Sequence, residues 1–142
     1  MGMIYDYFVA PSDAVAAAVI DDGPTGLFRT VEAKWLDPLV VMGTLEELLT
    51  GRPYTEVVAD PRWGHDVARE SDGGPLVLSV TDGLRDGLAG MDEPIAVAAV
   101  WSRTEELDGY DPADLACALD ELKDLAAEAV RSGEQLYCWV CV

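Results

Sequence analysis

Apolar positions along the chain fall into short runs separated by segments with helix-capping signals. Runs rich in aromatic and β-branched residues predict strands. The first and last runs are apolar on both faces apart from Asp6, which is typical of strands inside a sheet. The predicted strands are Met3 to Ala10, Leu27 to Lys34, Leu76 to Val80 and Gln135 to Val142, with Thr55 to Ala59 as a short fifth candidate.

Capping residues mark the start of each predicted helix. Ser, Thr and Asp side chains accept hydrogen bonds from the first free amides of a helix, and proline is favoured in its first turn. These signals stand at Ser12, Asp37-Pro38, Thr81, Asp92-Glu93-Pro94 and Asp111-Pro112. Gly51 and Gly133 are suited to end the second and last of these helices. The segment Ile95 to Trp101 is apolar all round, which predicts a buried helix.

The segment from Asp111 to Ser132 carries the clearest helical periodicity, with one apolar and one polar face. Its apolar face contains Leu115, Ala118, Leu119, Leu122, Leu125, Ala126, Ala129 and Val130. Together the elements predict one α+β domain over residues 1–142, with a mixed sheet of about five strands. We expect the C-terminal strand inside that sheet and the amphipathic helices packed on it.

The charge of the chain is strongly unbalanced. Among 142 residues, 27 are Asp or Glu and 9 are Lys or Arg, which gives a formal net charge of −18. This charge repels phosphate groups, so neither nucleic acid nor a membrane surface is expected as a partner. A basic protein would be attracted. The alternative is that the charge provides solubility alone.

Targeting signals and metal-binding patterns are not evident in the sequence. Met1 to Asp6 lacks the basic start and apolar segment of an export signal, which predicts a cytoplasmic protein with reduced thiols. On a strand, Cys138 and Cys141 would point to opposite faces, so they do not form a metal pair. We predict no catalytic residue, no metal and no cofactor.

Four short motifs are distributed along the chain. Met1-Gly2-Met3-Ile4 precedes an aromatic strand, and Trp35 precedes a helix that ends in Leu48-Leu49-Thr50-Gly51. The turn Gly73-Gly74-Pro75 leads into a short strand, and a long helix with Gly133 leads into the last one. In this combination the sequence resembles the YfbM-like family of bacterial proteins. The resemblance implies a small cytoplasmic α+β domain of unknown function, and it implies no catalytic residues.

Residue types useful for chemistry crowd together in one predicted loop. His65 lies beside Asp66 and two positions after Trp63, and a histidine near a carboxylate can act as an acid or base. With Trp35, these three residues define the cleft of a small enzyme or ligand-binding domain, which is our alternative prediction. The simpler interpretation is a surface loop that Trp63 anchors to the core.

The outer face of the long helix is acidic. Nine acids lie between Glu105 and Glu128, and Lys123 is the one basic residue among them. Such a face is either solvated or a landing surface for a basic partner. The residues expected to point away from the apolar face are Asp120, Glu121, Asp124 and Glu128. Our main functional prediction is a non-enzymatic acidic binding protein that masks a basic partner, as an immunity protein or antitoxin does.

Overall fold

A computed structural model of the protein describes residues 3–33, 35–70 and 73–141. Lys34 and Val142, which end two of the predicted strands, lie outside this part of the chain, as do Met1 and Gly2. The strands are β1 (Ile4–Ala10), β2 (Thr30–Glu32), β3 (Asp66–Arg69), β4 (Leu76–Ser79) and β5 (Gln135–Cys141). The helices are α1 (Asp13–Ala17), α2 (Met42–Thr50), α3 (Tyr54–Val58), α4 (Asp82–Ala89), α5 (Pro94–Trp101) and α6 (Pro112–Ser132), with a 3₁₀ helix at Glu105–Leu107.

The five strands form one sheet in the order β2-β1-β5-β4-β3. The prediction that the C-terminal strand is interior is confirmed, because β5 pairs with β1 on one side and with β4 on the other. All four pairings are antiparallel, so the predicted mixed sheet is corrected. The side-chain pattern of a strand does not encode its direction, and the helical connection between β4 and β5 happens to return the chain antiparallel.

Each face of the sheet carries its own layer of core. Tyr5, Tyr7 and Val9 of β1 join a large cluster with the buried sides of α2, α4, α5 and α6. Phe8 and Ala10 of the same strand join a smaller cluster on the opposite face, beneath α1. The alternation of side chains along a strand therefore supplies two layers at once, which explains why β1 and β5 read as apolar on both faces.

The predicted helix ends agree with the structure where a cap decides them. The side chain of Ser12 accepts from the amide of Val15 at 3.2 Å, and that of Thr81 accepts from Leu84 at 3.1 Å. Gly51 and Gly133 end α2 and α6 in the left-handed conformation, with φ of 77° and 67°. One start is later than predicted: Asp37 caps only a turn, and α2 begins at Met42.

The segment Thr55 to Ala59, predicted as a candidate strand, is instead helix α3. The amide of Val57 donates to the carbonyl of Pro53 at 3.0 Å, and the Val57 side chain is completely buried. Strand propensity from the adjacent valines is therefore overridden by tertiary packing. The fifth strand is β3, which the sequence did not predict because it is short, half-buried and irregular in register between Asp66 and Ala68.

The second strand is also shorter than predicted. The amides of Leu27 and Phe28 both donate to the carbonyl of Pro24 at 3.0 Å, which holds these residues in a turn. Within the described residues, Thr30–Glu32 pairs with β1 as a strand, and the amide of Ala33 adds one hydrogen bond to the carbonyl of Tyr5 at 2.9 Å. As a result β2 is a three-residue strand at the edge of the sheet.

Candidate functional site

Helix α6 has one side buried in the core and an opposite, exposed side that is acidic. We call the acidic side the α6 ridge. Leu115, Leu119, Leu122 and Ala126 are buried in the large core cluster, as predicted. The carboxylates of Asp120, Glu121 and Asp124 are exposed on the opposite side. In the described part of the chain they take part in no hydrogen bond or ion pair. Glu128 differs, because its carboxylate lies 3.5 Å from the guanidinium of Arg29.

One side of this ridge borders the edge of the sheet. Glu121 and Asp124 line a cavity of about 440 Å³ together with Arg29, Thr30 and Glu32, and we call this space the β2–α6 cleft. Three carboxylates thus face one guanidinium, which is already paired with Glu128. Because β2 ends the strand order, its outer edge has no partner strand within the described residues. The cleft is therefore an acidic, open space beside an unpaired strand edge.

A separate apolar groove lies between α6 and α5. It is a cavity of about 600 Å³ lined by Ile95 and Ala99 of α5 and by Ala113, Ala116, Cys117 and Asp120 of α6. We call it the α5–α6 groove. Its existence corrects a prediction, since α5 is not buried all round.

Only one side of α5 faces the core. Ala98 and Trp101 are completely buried, whereas the Ile95 side is open and Ile95 is 79% exposed. An all-apolar helix has no periodicity that could reveal which side faces solvent, so the sequence could not identify this surface.

The apolar surface extends beyond the groove. A second depression of about 490 Å³ is lined by Ala96 and Ala99 of α5 and by Asp92 and Glu93 at its start. The charged residues that line these two depressions are all acidic: Asp92, Glu93 and Asp120. Among the described residues, no lysine or arginine lines either depression. The exposed apolar face of α5 is therefore bordered by negative charge.

The residues of the alternative prediction lie in separate contacts. His65 and Asp66 are exposed, and Asp66 is paired with Arg69 at 2.7 Å. Trp63 is half-buried and lines a space of about 10 Å³, too small to admit a ligand. Trp35 stacks on Tyr110, with 5.1 Å between the ring centroids. Trp35 and Trp63 both pack against the large core cluster, and none of the cavities described above is lined by both.

Arg62, in the same loop, belongs to a polar cluster on the smaller core layer. Its guanidinium lies 3.2 Å from the carboxylate of Asp13, which also accepts a hydrogen bond of 2.6 Å from the hydroxyl of Tyr137. The Tyr137 hydroxyl, and after it Arg62, lowers the pKa of Asp13 below its usual range. Burial, and after it the hydrogen bond to Asp13, raises the pKa of Tyr137. These mutual contacts are typical of a structural network, in which the buried Nε of Arg62 is left without a hydrogen-bond partner among the described residues.

The described residues contain neither a metal-binding cluster nor a helix that could span a membrane. No group of three or more His, Cys, Asp or Glu side chains there is arranged to hold a metal ion. Cys138 packs in the large core cluster and Cys141 against the smaller one, on opposite faces of β5 as predicted. None of the helices described has the length and apolar character that crossing a bilayer requires.

A fold comparison finds similarity to the crystal structure of a protein of unknown function, YfbM, from Escherichia coli. The match covers 98% of this chain and 99% of that chain, with 18% sequence identity and a TM-score of 0.47. The sequence motifs resemble the family of the same name, and at this identity no functional residue is transferred. No protein-family model matches the sequence, and no curated protein matches it.

Proposed function

We propose that this protein is a non-enzymatic acidic binding domain that masks the basic surface of a partner protein. The observation that carries the proposal is the ridge of α6, on which Asp120, Glu121 and Asp124 are exposed and unpaired within the described part of the chain. A solvated helix face of ordinary composition interleaves both signs of charge. Here Lys123 is the one basic residue between Glu105 and Glu128.

The arrangement of the acids supports a contact with Lys or Arg side chains. In the β2–α6 cleft, Glu32, Glu121 and Asp124 face a common space. A cation about 4 Å from one carboxylate gains about 1 kcal/mol in bulk water and about 4 kcal/mol at the effective dielectric of a protein surface. The one basic residue that lines the cleft, Arg29, is paired with Glu128, and a concave space concentrates the field of the remaining acids. The cleft therefore attracts cationic side chains more strongly than a flat acidic surface would.

The proposal is tested with a fluorescein-labelled peptide of alternating lysine and alanine, followed by fluorescence anisotropy. Wild-type protein is expected to bind it at low salt, and binding is expected to weaken as salt shortens the Debye length to about 8 Å. The double variant Glu121→Lys/Asp124→Lys should bind at least about tenfold more weakly. The matched control is Asp22→Lys/Glu56→Lys, which changes the net charge equally at exposed positions on α3 and in the turn after α1.

Comparing the two double variants distinguishes binding at the β2–α6 cleft from attraction by the net charge of the whole protein. Equal loss of binding in both would mean that net charge alone attracts the peptide, and the proposal would fail. Absence of binding by the wild-type protein at low salt would also overturn it. Circular dichroism of both variants checks that α6 remains folded, which is expected because these side chains point away from the core.

A further inference from the structure

The exposed face of α5 is costly for a protein in water unless it is covered. Ile95, Ala96, Ala99 and Val100 are all exposed on one helix, and they continue into the α5–α6 groove. Isolated apolar residues are common on protein surfaces, but contiguous exposed patches with polar borders mark interaction sites. The groove and the β2–α6 cleft have no lining residue in common, so the acids of the cleft do not account for this surface.

The shape of the groove fits a helix. It lies between two helices, and a third helix packs into such a space by placing its side chains between theirs. The eight residues of α5 span about 12 Å. This length accommodates about two turns, so apolar side chains spaced three or four positions apart would enter the groove.

The acidic residues around the α5–α6 groove favour a helix with basic side chains. Asp120 lines the groove on α6, and Asp92 and Glu93 line the adjoining depression at the start of α5. A helix that carries Lys or Arg beside its apolar positions would place cations next to these acids. A second copy of this chain would instead bring acid against acid, and each copy carries a formal charge of −18.

We infer that the α5–α6 groove docks an amphipathic basic helix of the partner protein. The inference rests on the proposed function and specifies the form of the partner: apolar anchors enter the groove while basic side chains contact its acidic border. The free energy of binding is then the sum of two contributions that can be measured separately. The apolar term depends on Ile95 and Ala99 and is insensitive to salt, whereas the charged term depends on the acids and is screened.

The reactivity of Cys117 shows whether a helix is bound in the α5–α6 groove, because its side chain is exposed and lines the groove. A helix in the groove should slow the reaction of this thiol with a maleimide. Cys138 is buried and should not react in the folded protein. The Cys117→Ser variant provides the background rate from the remaining thiols.

The probe is a synthetic peptide of leucine and lysine with the leucines three and four positions apart, labelled with fluorescein. The control peptide has the same composition with the leucines distributed around the helix. The first peptide is expected to bind more tightly, to gain helical circular dichroism and to protect Cys117. Ile95→Ser should weaken its binding about tenfold or more while leaving the salt dependence unchanged. Leu27→Ser is the matched control, since Leu27 is 70% exposed but does not line the groove.

The outcomes separate this inference from the proposed function. If both peptides bind equally and Ile95→Ser has no effect, the groove is not the docking site, although a salt-dependent loss in Glu121→Lys/Asp124→Lys would still support the proposed function. If neither peptide binds at low salt, both proposals fail. A dimer in sedimentation that Ile95→Ser dissociates would identify a second copy as the occupant and overturn the inference.

Discussion

The carboxylate of Glu46 lies 3.3 Å from the guanidinium of Arg52, and Glu46 is completely buried while Arg52 reaches solvent. The hydroxyl of Thr81, which caps α4, donates a hydrogen bond to the same carboxylate. Arg52 continues the chain of contacts to Asp60, at 3.0 Å. One buried acid therefore ties α2 to the start of α4 and to the loop after α3. Buried charges persist in proteins only when they are paired and hydrogen-bonded in this way.

Replacing Glu46 should destabilise the fold strongly. Glu46→Ala removes the group that satisfies Thr81 and Arg52 and leaves a cavity, so we expect the free energy of unfolding to fall by about 3 kcal/mol. Urea denaturation measures the loss. Glu56→Ala is the control, because Glu56 is exposed and its replacement should change stability by less than about 0.5 kcal/mol. A similarly small effect at Glu46 would contradict the structural role of this carboxylate.

Tyr137→Phe should destabilise the protein in a pH-dependent manner. The variant loses the hydroxyl that donates to Asp13, and a hydrogen bond to a charged group contributes about 1 kcal/mol or more. Because this hydroxyl is the main cause of the lowered pKa of Asp13, its contribution is present above the ordinary Asp pKa of about 3.9. It is lost as the pH falls through the pKa of Asp13 in the folded state.

Urea midpoints of wild type and Tyr137→Phe should therefore differ at neutral pH and converge in acid. Tyr54→Phe, which alters an exposed tyrosine, is the control and should show no such trend. A difference that stays constant over the whole pH range would assign the effect to packing alone.

Asp6→Asn should stabilise the protein at neutral pH. Asp6 is buried on β1 opposite Glu32 of β2, and one of its carboxylate oxygens has no hydrogen-bond partner among the described residues. Burial, and after it Glu32, raises the pKa of Asp6, so its stability contribution falls as the pH rises through that pKa. Relief of like charges across a sheet contributes about 0.5 kcal/mol.

The gain from Asp6→Asn should disappear below the ordinary Asp pKa of about 3.9, where Asp6 is already neutral. Thermal unfolding at several pH values measures it. Glu32→Gln should give a smaller gain, because Glu32 is exposed. Loss of stability in Asp6→Asn at neutral pH would show that the charged form of Asp6 has a stabilising partner.

Gly23→Ala should lower the free energy of unfolding more than Gly26→Ala does. Both glycines have positive φ, 81° and 90°, so both substitutions strain the backbone by about 1 kcal/mol. At Gly23 the added methyl would also lie 3.0 Å from the ring of Trp139, whereas nothing lies within 4 Å at Gly26. We expect a changed tryptophan emission only in Gly23→Ala. Equal losses with unchanged emission in both would argue against the contact with Trp139.

Much of the fold is predictable from local signals. Caps such as Ser12 and Thr81 and the stops at Gly51 and Gly133 act within a few residues, so the sequence alone locates them. The interior position of β5 follows from its two apolar faces. The identity of the short elements does not follow, because the helix at Tyr54–Val58 depends on the burial of Val57 in a core that the chain builds from distant segments.

The candidate site is less predictable for the same reason. Periodicity correctly places Asp120, Glu121 and Asp124 on the outer side of α6, since a polar face needs no knowledge of the rest of the fold. It cannot show that Ile95 is exposed, because every side of α5 is equally apolar. The burial of Glu46 is also invisible, since its partners Arg52 and Thr81 are ordinary surface residue types in the sequence.

The central position of β5 has a consequence for the order of folding. Within the sheet, the β1–β2 pair and the β3–β4 pair are joined only through Gln135–Cys141, in the part of the chain that the structure describes. During synthesis on the ribosome, the two pairs are thus made long before the strand that unites them. Strand edges that later pair with residues 135–141 remain open on the nascent chain until that segment emerges, and we expect its negative charge to oppose pairing of these edges with other chains.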